Sequence, residues 1–554
     1  MVQGLDCLVL GYNDPPFSNH EQRVLNRGPD FPDRRIFMRD HLVVDGSRLP
    51  YMDVINHYVG ERGIGPPDSY YHVGEVANLA AVYLTSFLVQ RGCTATFASL
   101  FHAEKERIAA LLRDQRPRVV AITTTFYLTA APVAEIVAFV RSVRPESLVA
   151  VGGPLIDNLA RDLDPETLTE MFEWMDADVY VHDSQGECAL LDLVRGARAG
   201  ESPAHVDNVY WRNGEEFRFT RRRPENTPVD EGTINWRLFD DTELGRTAQT
   251  RTARSCAFKC SFCDFPARAG ALSLAGLDVV EAELTLLAER GVEHVVFIDD
   301  TFNVPLPRFK ELCRMMIRNR FPFRWYSFFR ASSARDEETY DLMAASGCAA
   351  VFLGIESADD GVLKLMHKSA TSDAYRSSIR RLTERSITTF ASFVVGFPGE
   401  TAATVQRTID FLNEAQPSFF RAEPWWYNHR SPIHAQADVL GITGQGYQWR
   451  HATMDIDGAG DALDRIFAEV TGSVWIPTYN FDFWALPYLF GKGFTQEQIT
   501  AFLRAAQRSM RFNADPGTPA ARAAAEEVAR SFDGVVLRPP RYRMPRARPL
   551  RVTA

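Results

Sequence analysis

Cys256, Cys260 and Cys263 stand in the run Arg254-Ser-Cys-Ala-Phe-Lys-Cys-Ser-Phe-Cys-Asp-Phe-Pro266, a C-x3-C-x2-C spacing with Phe262 directly before the last cysteine. Three thiolates on one short loop can hold three irons of a [4Fe–4S] cluster. The fourth iron then has no cysteine and is open to a substrate or cofactor. Such a site is reactive and not a plain electron carrier. A structural zinc site asks for four ligands, usually as paired C-x2-C arms, and no second cysteine pair or His-x3-His follows here. Eight cysteines in 554 residues are too sparse for a disulfide framework. Cys7, Cys93, Cys188, Cys313 and Cys348 lie in apolar surroundings and read as ordinary buried thiols.

Other residues with chemical potential cluster further along. Trp425, Trp426, Tyr427, His429, Arg430 and His434 combine aromatics and cations within ten residues, with Arg421 just before them. Cations in a dry pocket suit a carboxylate or phosphinate, and the tryptophans could instead stack on an aromatic substrate. Core packing with a polar edge is an equal reading of the same residues.

The elements that must position these groups follow two rounds of strand–helix alternation. Strands are expected at 6–12, 94–99, 118–123, 148–152 and 179–182, with helices at about 73–91, 104–114, 131–143, 165–175 and 187–196. Buried-type strands between helices imply a parallel, doubly wound sheet that binds ligands at its C-terminal strand edges. Thr123-Thr-Thr-Phe-Tyr127, Gly152-Gly-Pro154 and Asp183-Ser-Gln-Gly-Glu187 fall at those edges, although such residues also serve plain strand–helix turns. A hairpin turning at Asn213-Gly214 occupies a connector. After the cysteines, strands at 292–298, 325–329, 350–353, 390–395 and 419–422 predict a full or partial (β/α) barrel with its active site at the C-terminal strand ends. The expected domains are 1–200, the connector 201–245, the barrel 246–424 and a helix-rich capping region 425–554. The last stretch, Arg538–Ala554, has six arginines, four prolines and no acids, and reads as a solvated tail.

Composition sets outer bounds. Hydrophobic residues at 45% and charged residues at 24% fit a globular chain. A net charge of −10 gives no support to a nucleic-acid partner. The N-terminus has no basic n-region, and the most apolar run, Val73–Val89, is broken by Glu75 and Asn78, so neither a signal peptide nor a membrane span is expected. A reducing cytoplasm is the expected compartment.

With these parts in place, residues 5–425 resemble the cobalamin-dependent radical S-adenosylmethionine (SAM) enzymes. The resemblance rests on the cysteine motif and on four segments in fixed order after it: Val296-Phe-Ile-Asp-Asp-Thr-Phe302, Arg330-Ala-Ser-Ser333, Gly354-Ile-Glu-Ser357 and Phe393-Val-Val-Gly-Phe-Pro-Gly-Glu-Thr401. It implies that the open iron chelates the amino and carboxylate groups of SAM, that Phe262 lies against the adenine, and that Asp299, Asp300, Arg330, Ser332, Glu356 and Ser357 line the SAM site. The N-terminal domain resembles a cobalamin-binding domain. It lacks the Asp-x-His-x-x-Gly pattern whose histidine ligates cobalt, since none of the twelve histidines sits in that pattern. Thr124, Thr125 and Tyr127 are then candidates for packing under the corrin, and Gly152, Gly153, Gln185 and Gly186 for the nucleotide tail. Within the group, Arg421–His434 and Tyr447–Met454 are similar to phosphinothricin-type P-methyltransferases, with tryptophan C-methyltransferases near them.

The activity implied is methylation of an unactivated carbon or a phosphinate phosphorus in natural-product (antibiotic) biosynthesis. The methyl group would pass from one SAM to cobalamin, giving methylcobalamin, and then to a substrate radical made with a second SAM. The C-terminal strand edges of the two sheets would face one another across a cavity, closed by the 425–434 segment. The expected partners are a small-molecule substrate and a reductant such as flavodoxin or ferredoxin, with neither nucleic acid nor membrane. The alternatives are a non-methylating enzyme of the same group, such as a cyclase, and an Fe–S or corrinoid carrier or sensor.

Overall fold

The computed structural model describes residues 4–26, 32–67, 69–477, 479, 481, 483–513, 515–540 and 542–543. The chain divides into two compact units. The first takes in Met1–Pro16, Gly74–Gly245 and Leu274–Arg290, and the second takes in Phe17–Val73, Arg246–Ser273 and Gly291–Ala554.

The first unit is built on a sheet of seven strands: β1 (Cys7–Tyr12), β2 (Ala95–Leu100), β3 (Val119–Thr123), β4 (Leu148–Gly152), β5 (Val179–Val181), β6 (Val209–Asn213) and β7 (Glu216–Phe219). Runs such as Val-Val-Ala-Ile-Thr and Leu-Val-Ala-Val-Gly are apolar on both faces, as parallel strands covered by helices must be. The parallel strands lie in the order β2-β1-β3-β4-β5, the flavodoxin-like arrangement, whose ligand crevice is the switch point between β1 and β3. The hairpin β6–β7 adds antiparallel to β5, so the stretch read as a connector extends this sheet.

Helices Ala131–Val143, Pro165–Met175 and Glu187–Ala199 lie where the sequence predicts them, and Pro154–Asp162 is an additional helix. The apolar run Val73–Gln90 passes by length and composition for a membrane span, yet 56% of it is buried in the protein. Its α-helix starts only at Leu79, because the Asn78 side chain accepts from the Ala81 N–H at 3.0 Å and caps it there.

The second unit is built on seven parallel strands in consecutive order: β8 (Thr247–Thr250), β9 (His294–Phe297), β10 (Arg324–Phe328), β11 (Cys348–Glu356), β12 (Thr388–Val395), β13 (Phe419–Pro424) and the short β14 (Val474–Trp475). This is a partial (β/α) barrel with β8 and β14 at its edges. Helices Ile456–Glu469, Ala485–Lys492, Gln496–Met510 and Pro519–Arg530 form the helix-rich C-terminal region.

Two expectations are corrected, the first being that residues 274–290, assigned from sequence to the barrel, belong to the first unit. Residues 17–73, assigned from sequence to the first domain, belong to the second unit. Their side chains find partners in the C-terminal region: Tyr51 lies 5.7 Å from Phe481, Tyr58 stacks on Phe532 at 5.2 Å, and Arg39 pairs with Asp464. In the tail, Arg538 pairs with Glu293 at 2.6 Å, while residues 541 and 544–554 lie outside the described residues.

Candidate active site

The five expected segments of the second unit each follow the C-terminal end of a successive strand. The cysteine loop follows β8, Asp299-Asp300 follows β9, Arg330–Ser332 follows β10, Glu356-Ser357 closes β11, and Gly396–Thr401 follows β12. The Trp425–His434 segment follows β13. Active sites of this architecture sit at that end.

The cysteine loop is held at both ends and in its middle. Ser255, at a left-handed φ of 71°, donates its hydroxyl to the Gly270 carbonyl at 2.6 Å, closing the base. The Cys263 N–H donates to the Cys260 carbonyl at 3.1 Å, a tight turn. Fully buried Ser261 is the central anchor. Its N–H donates to Met366 O at 3.0 Å, its hydroxyl to Leu365 O at 2.7 Å, and its carbonyl accepts from the Ile433 N–H at 2.8 Å.

All three thiols are free, Cys260 is buried and the other two are half-buried. Burial pushes the Cys263 thiol up to about 11, and its neighbours Cys260 and Cys256 add to this. Three thiols that repel one another when ionised are what a cationic cluster would neutralise. Among the described residues no three His, Cys, Asp or Glu side chains close on a single-ion site. A cluster needs no such convergence, because each thiolate binds its own iron. The donor set therefore fits a three-thiolate cluster.

The two aspartates after β9 divide their roles. Asp299 is buried and accepts from the Thr252 N–H (2.6 Å), the Thr252 hydroxyl (2.6 Å) and the Ala253 N–H (3.1 Å), which fixes the approach to the cysteine loop. Arg308 braces the same Thr252 at 3.1 Å. Asp300 is accessible yet surrounded by protein, as in a cleft, and burial together with Asp299 raises its carboxyl to about 6.

Around β10 and β11, Arg330 is buried, with its backbone clamped by Asn303 at 2.8 and 2.9 Å. Its guanidinium lies over Phe258, and it donates to the Lys368 carbonyl. Ser332 is half-buried in a short 3-10 turn. Glu356 adopts a left-handed φ of 68° and pairs with Lys368 at 3.2 Å. Burial is the largest influence and works against the Lys368 charge, but Glu356, Tyr375 and Cys260 together outweigh it and the ammonium titrates above its ordinary range. Ser357 is buried, its hydroxyl accepting from the Asp359 N–H at 3.2 Å.

The segment after β13 splits into an inner and an outer set. Trp425 and Tyr427 are buried, whereas Trp426 (59% exposed), His429, Arg430 and His434 are open. Rings run in contact from the loop outward: Phe262–Phe397 at 6.4 Å, Phe397–Trp425 at 5.2 Å, and Trp425–Tyr427 at 5.0 Å. The Tyr427 hydroxyl is 2.7 Å from His434 Nδ1, and the His434 ring stacks with His429 at 4.9 Å. His429 Nε2 donates to the Gly444 carbonyl at 2.9 Å, so its Nδ1 is the free nitrogen. The Phe397 turn is gripped through Gly396, whose N–H donates to the buried Glu400 carboxyl and whose carbonyl accepts from His451 Nε2 at 2.9 Å.

In the first unit, the expected residues lie along the C-terminal strand edge, with Thr124, Thr125 and Tyr127 at the switch point, but several are consumed internally. The Tyr127 hydroxyl donates to Gly11 O at 3.0 Å and accepts from the Asn13 N–H at 2.7 Å, stapling the end of β1. Thr124 is buried and bonds to Gly152 O at 3.0 Å. A Cβ on Gly153, at φ 109°, would stand 2.9 Å from the Thr124 hydroxyl. Gln185 Nε2 donates to Glu225 O at 2.8 Å, and the helix that Gly186 caps has its first N–H groups, from Cys188 and Ala189, on the Glu225 carboxylate at 2.8 and 2.7 Å. The anion position of that helix is thus taken by the chain itself. Burial raises Glu225 to about 7. What the edge leaves open is Thr125 with two apolar side chains the sequence did not flag, Phe126 (53% exposed) and Leu128 (94% exposed). Lys368, Phe258, Ser261 and Arg308 were likewise not singled out.

Comparison with known proteins agrees with this layout. Residues 250–412 match the Radical SAM superfamily family model, so the second unit carries a radical SAM domain. The chain is 28% identical over 338 residues to the anaerobic magnesium-protoporphyrin IX monomethyl ester cyclase of Cereibacter sphaeroides, covering 57% of this chain and 52% of that protein. It is 28% identical over 226 residues to the tryptophan 2-C-methyltransferase of Streptomyces laurentii, covering 38% of this chain and 36% of that one. The chain spans about half the length of the first of these curated relatives and less of the second.

Among solved structures, the radical SAM methyltransferase TsrM from Kitasatospora setae, with cobalamin and a [4Fe–4S] cluster bound, superposes with a TM-score of 0.59 at 17% identity, covering 82% of this chain and 96% of that chain. The cobalamin-dependent SAM radical enzyme OxsB, with aqua-cobalamin bound, gives 0.57 at 12% identity, covering 90% and 80%. The fold is shared with both.

Proposed function

We propose that the protein is a cobalamin-dependent radical SAM methyltransferase acting on a small molecule. The observation that carries this reading is the three-cysteine loop, braced by Ser261 at the C-terminal end of the first barrel strand in a radical SAM domain. The flavodoxin-like order of the first sheet and the fold shared with TsrM and OxsB support the cobalamin half. When bound, a [4Fe–4S] cluster with SAM supplies one-electron radical chemistry, and cobalamin supplies a transferable methyl group.

The chain's own residues do the rest. Cys256, Cys260 and Cys263 hold the cluster, and Phe262, Asp300, Arg330, Ser332 and Glu356 receive SAM. Asp299 and Ser357 fix the loops on which these stand. Thr125, with Phe126 and Leu128, offers the corrin an apolar edge, while Thr124, Tyr127, Gly152, Gly153, Gln185 and Gly186 shape that edge. The buried Trp425 and Tyr427 orient the open Trp426, His429, Arg430 and His434 toward the substrate. Cationic and imidazole donors favour a carboxylate or phosphinate, and methylation falls on a carbon or on phosphinate phosphorus. The setting is natural-product biosynthesis of the antibiotic type, in the cytoplasm, with flavodoxin or ferredoxin as electron donor.

The similarity to a cyclase favours one second reading, a non-methylating reaction on the same scaffold. Anaerobic reconstitution followed by SAM, methylcobalamin and a panel of phosphinates and indoles tests both. A methylated product supports the proposal, and 5′-deoxyadenosine without methyl transfer supports the second reading. The Cys256/Cys260/Cys263→Ala protein is expected to bind no cluster and form neither. Turnover by that variant would sink both readings.

A further inference from the structure

Each aromatic ring of the cysteine loop carries a buried cation. The Arg330 guanidinium carbon is 3.6 Å from the centroid of Phe258, the ring between Cys256 and Cys260. The Lys368 ammonium is 5.8 Å from the centroid of Phe262, the ring between Cys260 and Cys263. The two cations are joined, since Arg330 Nη2 donates to the Lys368 carbonyl.

Lys368 is 6% exposed, and the residues just before it, Leu365 and Met366, are the ones that accept from Ser261 in the loop. Its ammonium interacts electrostatically with Cys260. Its counter-ion is Glu356, at 3.2 Å. Room for the pair is made by Gly354, where a Cβ would stand 2.6 Å from the Glu356 carboxylate and 3.5 Å from the Lys368 nitrogen. Arg330, Lys368 and Glu356 together carry one net positive formal charge.

A buried lysine is costly, and packing alone would be served by an apolar side chain. Charge in a low-dielectric interior acts strongly on its neighbours, and cluster potentials respond to the net charge around them. Reduction adds a negative charge to a cluster already carrying three thiolates. A cation beside it therefore stabilises the reduced form more than the oxidised form and raises the potential.

We propose that Lys368, balanced by Glu356, sets the reduction potential of the cluster held by Cys256, Cys260 and Cys263. This rests on the cluster reading above and adds a tuning residue to it. The pair lets the loop accept an electron from a low-potential donor before any substrate is engaged.

The test is an EPR-monitored titration with dithionite as the electron source, on anaerobically reconstituted protein without SAM. Lys368→Gln should lower the midpoint by about 59 mV or more, a tenfold change in the one-electron equilibrium. Lys368→Arg should return it toward the wild-type value, and Glu356→Gln should move it upward. Opposite shifts from the two partners are what a merely structural pair would not produce.

Unchanged midpoints, or shifts in the same direction for Lys368→Gln and Glu356→Gln, overturn the proposal. Should Lys368→Gln fail to fold, Glu356→Gln decides alone, an upward shift supporting the proposal and no shift overturning it. Iron and sulfide analysis of the wild-type protein separates the two levels. If it assembles no cluster, the cluster reading itself has failed.

Discussion

At the scale of single residues, the cysteine loop depends on Ser261 more than on any residue chosen for its chemistry. Its three bonds tie the loop to the C-terminal end of the helix Asp360–Leu365 and to the segment after β13. Ser261→Ala removes only the hydroxyl bond and leaves the buried Leu365 carbonyl without it. The expected cost is about 1 kcal/mol of stability, seen in denaturant unfolding, together with faster loss of iron from the reconstituted loop. Unchanged stability and iron retention would show that the two backbone bonds suffice.

The cysteines themselves were legible in the sequence because three ligands in eight residues make a purely local signal. Lys368 was not, because it meets the loop only after β11 and the helix Asp360–Leu365 have folded. Asp299 and Tyr127 read from sequence as ligand contacts because they sit at strand ends. Folded, each spends its polar atoms on neighbouring backbone and, for Asp299, on the Thr252 hydroxyl, as buried groups must.

At the scale of elements, the turn after β12 is set by one carboxyl. Burial raises Glu400 to about 8, against the lowering effect of the Gly396 N–H, with Asp359 adding to the rise. The folded state therefore binds this proton more tightly than the unfolded chain. The stability it contributes is complete below pH 4.5 and is lost as pH rises through about 8. Glu400→Gln, which cannot ionise, should remove that component. Its thermal midpoint should fall less than the wild type's across this window, and parallel curves would refute the assignment. Strand and helix positions were mostly legible because buried-strand runs and helical periodicity are local. The six-residue error at the start of the Leu79 helix came from a cap, Asn78, inside an apolar run that looked continuous.

At the scale of the whole molecule, the switch-point edge of the first sheet exposes two large apolar side chains, Phe126 and Leu128. Leu128→Asp places a charge there without touching the core. It should weaken cobalamin retention after reconstitution by tenfold or more, about 1.4 kcal/mol, while iron content stays at the wild-type level. Equal loss of both would point to misfolding, and loss of neither would remove Leu128 from the corrin edge. The two-sheet plan was legible from the two rounds of strand–helix alternation. The allegiance of residues 17–73 was not, because it rests on aromatic pairs separated by more than 400 positions.

That detour of the chain bears on how the protein is made. The ribosome delivers β1 before fifty-odd residues that belong to the other unit, and the first unit is complete only when Arg290 has emerged. By then the first barrel strand and the cysteine loop are already out, while the partners of Tyr51 and Tyr58 are still unsynthesised. Domains that fold one after another during translation do so because each is a contiguous stretch. Here neither unit is, so nascent chains must carry exposed aromatic surface until Phe481 and Phe532 have been made. Yield in a host cell should accordingly be governed by chaperone supply and elongation rate as much as by final stability.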